Sequence, residues 1–169
     1  MSRHLTDSED DQERLLNQRS YLKHKHGLLV DKWDEFGSIG AIEDELYQVI
    51  INTHAAIEEA TTHIIINYVI DDGFSDSAYN YVYSNMSQHH REKLLSECGI
   101  LSNKTKGEMS YFRSLRNKVA HEPFARLDWN QDDIGEKLED GITALDKLTE
   151  GATDAGLISE IKQRDGKRI

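Results

Sequence analysis

Between Ile42 and Ile70 the apolar residues fall on one face of a helix: Ile42, Leu46, Val49, Ile50, Ile57, Ala60, Ile64 and Tyr68 recur at three- and four-residue intervals. Glu43, Asp44 and Glu45 occupy its first turn, where the helix dipole stabilises negative charge. The run Ile64-Ile65-Ile66 suits a strand by composition, but the helical spacing continues through it and decides for helix. Upstream, Leu15, Leu22, Leu29, Trp33 and Phe36 make the stripe of a first helix, with His26 and Val30 alongside. A capping box, Thr6-x-x-Glu9, opens it, and Gly37-Ser-Ile-Gly40 stops it.

Downstream, Asp71-Asp72-Gly73 ends the second helix. A shorter one runs from Ser77 to Met86, with Tyr79, Val82, Tyr83 and Met86 facing inward. Ser87 is placed to cap a helix through Cys98 whose apolar positions are Leu94, Leu95 and Cys98. Gly99 to Lys106 reads as a loop. Phe112, Leu115 and Val119, at i, i+3 and i+7, then mark a helix that Pro123, the sole proline, stops near His121 or Glu122. After an irregular stretch, Asn130 or Asp132 caps a last long helix carrying Ile134, Leu138, Ile142, Leu145 and Leu148, ended at Gly151.

The pattern predicts about five helices and no strand, an all-α antiparallel helical bundle. Residues 1–150 form the single domain. Residues 151–169 are a polar tail, basic at its end, in which Leu157, Ile158 and Ile161 suggest a short docking helix. Composition agrees: 169 residues suffice for one core, with 37% hydrophobic and 30% charged residues. No apolar run is long enough to span a bilayer, and the acidic, polar start is no secretory signal, so the expected location is the cytoplasm. The lone Cys98 excludes an intramolecular disulfide and a cysteine-based metal cluster.

Charge changes the picture. The formal net charge is −11, which opposes broad, nonspecific nucleic-acid binding. The segment from Lys104 to His121 runs the other way: Lys104, Lys106, Arg113, Arg116 and Lys118 stand against Glu108 alone, a local balance of +4. A focused basic site on an acidic body suits a small anionic target or one place of strand entry.

Candidate chemistry lies in that segment. Arg113, Asn117 and His121 recur every four residues as a polar stripe beside the apolar one, and Arg116 lies between the two. Arginine clamps phosphate oxygens with two parallel hydrogen bonds, and histidine exchanges protons near neutral pH. Together they supply what metal-free RNA cleavage needs: activation of the 2′-hydroxyl, stabilisation of the phosphorane and protonation of the leaving oxygen. Arg116 and His121 diverge by roughly 140° on a regular helix, so they converge only if the helix end unwinds or a second copy supplies half the site. Other histidines read more plainly. His24 and His26 sit among lysines, His89 and His90 are adjacent, and His54 with Glu58 reads as a surface hydrogen bond.

Arg116 to His121 is an Arg-x4-His pattern, and the string Leu115-Arg116-Asn117-Lys118-Val119-Ala120-His121 on a proline-ended helix resembles the HEPN superfamily of all-α domains. The resemblance extends from about Ile42 to Leu148. It implies a metal-independent, cofactor-free endoribonuclease of toxin–antitoxin or antiviral-defence type, with Arg116, Asn117 and His121 as its catalytic site. The site would be shared across a homodimer, and products would carry a 2′,3′-cyclic phosphate. Arg113, Lys104, Lys106 and Lys118 are added from the charge pattern as RNA- or phosphate-binding residues. An antitoxin or regulatory protein is the expected partner besides RNA. In HEPN toxins silenced by modification of a tyrosine two positions after the histidine, that position is here Pro123. The alternative is a noncatalytic HEPN-like regulatory or interaction module, of mannitol-repressor or abortive-infection type. A third option is a nucleotide-binding sensor using the same cleft.

Overall fold

The computed structural model describes residues 7–69, 76–121, 127 and 129–154. Among them are six α-helices and no strand: α1 (Asp7–Phe36), α2 (Glu43–Ile64), α3 (Asp76–Ser84), α4 (Gln88–Glu97), α5 (Asn103–His121) and α6 (Gln131–Asp154). The all-α bundle expected from periodicity is what forms. Thr6, Asp71-Asp72-Gly73, Pro123 and the tail residues Leu157, Ile158 and Ile161 lie outside the described residues.

Long-range side-chain contacts fix the helix directions. Lys32 pairs with Glu45, and Gln18 donates to Glu59 at 2.7 Å, so α1 and α2 run antiparallel. Lys23 meets Asp146 at 3.1 Å while His26 bonds the Ile134 carbonyl at 3.3 Å, so α6 is antiparallel to α1. Lys147 donates to Glu108 at 3.1 Å and Phe112 abuts Gly141, which makes α5 antiparallel to α6. The four long helices therefore form an antiparallel bundle, with α2 and α6 packed together across it and both touching α1 and α5. Helix α4 lies against α2 and α5.

The apolar stripes read from the sequence make the core. Ile42 at the N-cap of α2 and Leu46, Val49, Ile50, Ile57, Ala60 and Ile64 within it are buried, as are Ile134, Leu138, Ile142, Leu145 and Leu148 of α6. Several local expectations change. Phe36, Tyr83 and Cys98 are exposed, each at or near a helix end. Tyr68 and Tyr79 have no described side-chain placement. Helix α2 leaves α geometry at Ile65 and finishes in a π-helical turn, Ile65–Val69. Just before it, the Thr61 hydroxyl lies 2.9 Å from the Ile57 carbonyl and the Thr62 hydroxyl 2.7 Å from that of Glu58, and such back-bonding loosens the helical ladder. Gly151 does not end α6, which continues to Asp154.

Candidate functional site

Helix α5 begins at Asn103, four residues inside the expected loop, because Ser102 caps it: its hydroxyl accepts from the Thr105 N–H at 3.1 Å. Thr105, Met109, Phe112 and Leu115 are buried and Val119 is half-buried, so α5 presents one arc to the core. Taking Phe112 as the centre of that arc, Arg116 stands about 40° away and His121 about 180° away. Arg116 is accordingly half-buried at the edge of the core arc, whereas Asn117, Lys118 and His121 are exposed.

Arg116 donates to Asn117 Oδ1 at 3.1 Å. It has no carboxylate partner among the described residues. Its neighbour one turn back differs: Arg113 pairs with Glu92 of α4, a carboxylate with only 1% of its side chain exposed, and also donates to Ser110 Oγ at 3.0 Å. That guanidinium joins α4 to α5 and has its strongest donors occupied. The lysines do not converge with Arg116. Lys104 is 12 residues upstream, about 18 Å along the axis, 81% exposed and 3.9 Å from Glu108. Lys106 is half-buried near the same end, and Lys118 lies exposed almost opposite Arg116. The local +4 is thus spread along and around one helix.

His54 was expected on the surface, yet it is 4% exposed, with Nδ1 3.6 Å from Glu58 Oε2. That separation permits charge attraction and is too long for a hydrogen bond. Its Nε2 is buried and finds no hydrogen-bond partner among the described residues. Burial holds the His54 pKa below the usual histidine value of 6.5; the Glu58 carboxylate opposes this, and the Arg116 and Arg113 guanidiniums reinforce it. On α2, the Thr61 hydroxyl lies 3.0 Å from the Gln88 side-chain amide, and Arg91 donates to the Val82 carbonyl at 3.0 Å, capping the end of α3. Burial lowers the Arg91 pKa, and Glu58 opposes that shift.

The described structure therefore pairs Arg113 of α5 with Glu92 of α4, sets His54 beside Glu58 on α2, and bonds Arg116 to Asn117. It leaves His121, Lys118, Lys104 and Lys106 apart from them. The i, i+4 spacing of His54 and Glu58 is visible in the sequence. The burial of His54 follows from the packing of α2 against its neighbouring helices, which no local pattern encodes.

A concavity of about 140 Å³ lies between α1 and α2, lined by Tyr21, Leu28, Lys32, Glu45, Val49 and Asn52 among others. It occupies the face of α2 roughly opposite His54. Among the described residues, no three His, Cys, Asp or Glu side chains are grouped to hold a metal ion, and no helix is long and apolar enough to cross a membrane. No family model matches the chain, no curated protein matches it, and no solved structure matches it.

Proposed function

We propose that this chain is a metal-independent endoribonuclease of the HEPN type, acting as a homodimer in toxin–antitoxin or antiviral defence. The observation that carries the reading is Arg116: a half-buried guanidinium with no carboxylate partner among the described residues, bonded to Asn117, on the helix that also exposes His121. A structural arginine is paired, as Arg113 is with Glu92; an unpaired one suits a substrate phosphate. In the proposed reaction Arg116 stabilises the phosphorane, Asn117 holds the guanidinium in position, and His121 of a second copy moves the proton. The O2′–P bond forms as the P–O5′ bond breaks, leaving a 2′,3′-cyclic phosphate.

Cleavage of total RNA in EDTA by the wild type, with an Arg116→Ala/His121→Ala variant inert at the same oligomeric state, is the expected result. Equal cleavage by both proteins would sink the proposal. A second reading draws on the separation of Arg116 and His121 around α5: a noncatalytic interaction module in which this helix meets a protein partner. It expects no cleavage by either protein and weaker association by the variant.

A further inference from the structure

We infer that the concavity between α1 and α2 binds a small carboxylic acid whose apolar body is about the size of one ring. Its carboxylate is held by the Lys25 ammonium of α1 and the Asn52 amide of α2. No residue of α5 lines this cavity. The site needs neither Arg116, nor His121, nor RNA, so it stands or falls separately from the nuclease reading.

Shape supplies the first argument. The cavity measures about 140 Å³, and a closed apolar cavity of similar volume takes up a benzene ring. Its floor is made by the buried core side chains Leu29 and Val49. Tyr21 and Leu28 line it too and are 49% and 42% exposed, so the space opens to solvent and a ligand enters without any helix moving. An apolar body seated there removes floor and rim from water together.

Register supplies the second. Lys32 pairs with Glu45 at one end of this stretch, and Gln18 donates to Glu59 at the other. Lys25 lies seven residues, two helical turns, from both Lys32 and Gln18, and Asn52 lies seven from both Glu45 and Glu59. The antiparallel pair therefore sets Lys25 and Asn52 level with each other across the cavity that both line. Lys25 has no carboxylate at ion-pair distance among the described residues; its ammonium stands over the Tyr21 ring, 5.6 Å from the centroid. Asn52 Oδ1 accepts from Gln48 Nε2 at 3.0 Å, which leaves the Asn52 amide its N–H groups to offer.

Charge then selects the ligand. An ammonium and an amide donor at one level, beside an apolar floor, complement a group that only accepts hydrogen bonds and is carried on an apolar body. Of the charged groups lining the cavity, Lys32 and Glu45 offset each other and Lys25 remains, one positive charge on a chain of net charge −11. A monoanionic carboxylate matches it. A phosphate dianion would leave one negative charge uncompensated beside Glu45.

The test is an NMR titration of the full chain with phenylacetate, read at the methyl groups of Leu28 and Val49. Phenylacetamide keeps the ring and loses the charge; acetate keeps the charge and loses the ring. The expected result is a saturable shift at both methyl sites with a Kd of about 1 mM or below, and binding of either control weaker by about fivefold or more. Lys25→Gln should weaken phenylacetate about fivefold. Asn52→Asp keeps the acceptor for Gln48 and puts a negative charge where the donor was, so it should weaken binding at least as much. Lys23→Gln, which removes the same charge from the face of α1 that meets Asp146, should leave binding unchanged. No saturable shift, equal binding of phenylacetamide or acetate, or wild-type affinity in Lys25→Gln overturns the inference. Should Asn52→Asp lose the fold, Lys25→Gln, a change on the outer face of α1, decides alone.

Discussion

At His54, burial and two guanidiniums hold an imidazole in its neutral form, and stability inherits a pH dependence. Its folded pKa lies below the unfolded value of 6.5, so between the two the unfolded chain binds more protons. Stability is therefore full above 6.5 and declines as the pH falls through that value toward the folded pKa. Denaturation midpoints of wild type and His54→Gln, compared across this range, should differ in slope, the variant being the flatter. The Glu92–Arg113 pair behaves differently. Glu92→Gln leaves Arg113 facing a neutral group in a poorly solvated seam and should cost about 2–4 kcal/mol in urea unfolding, toward the low side because Arg113 retains some solvent contact. His54 and Glu58 are legible as an i, i+4 pair, and Arg113 and Arg116 as cations. That Glu92, on a mostly polar helix, would neutralise one arginine and not the other is a matter of helix packing, which residue spacing does not carry.

Helices announce themselves at their ends and notches as well as along their stripes. Of the two candidates for the α6 cap, Asn130 is the one used: its Oδ1 accepts from the Asp133 N–H at 3.0 Å, and Asp133 accepts from the Asn130 N–H at 2.9 Å. Asn130→Ala should cost about 1 kcal/mol, read from thermal unfolding. Helix α4 closes on Gly99 at φ 77, with the Ile100 N–H bonded to the Leu95 carbonyl at 2.9 Å. Gly141 and Gly151 mislead a reader of sequence, since glycine inside a helix usually signals weakness or an end. Here a β-carbon at Gly141 would enter the Phe112 ring, and one at Gly151 would strike the Ile100 carbonyl. Gly141→Ala should destabilise by about 1–3 kcal/mol despite the better helix propensity of alanine. Gly107→Ala on α5, where the added carbon meets nothing, should be neutral or stabilising in the same assay.

Across the whole molecule, the bundle puts the two residues of the proposed motif on different faces. Arg116 borders the core and His121 looks outward, so under the nuclease proposal neither copy is competent alone. An equal mixture of Arg116→Ala and His121→Ala chains, allowed to exchange subunits, should recover roughly a quarter of wild-type cleavage, since half the dimers regain one of two sites. No recovery in exchanging dimers would place the reaction within one chain. The all-α class and the main core stripes were legible because amphipathic periodicity is a local property. The meeting of α2 with α4 and α5 was not, because it depends on which neighbours each helix selects.

Phe112 also acts as a detent. Its ring occupies the notch left by Gly141, and a slide of α5 along α6 would drive the ring out of that notch. Arg116, one turn beyond, is thereby held at a fixed height beside α2 by an apolar contact with α6. Freedom at the polar seam then belongs to the torsions of the arginine and glutamate side chains, over picoseconds to nanoseconds, and not to the slower translation of helices.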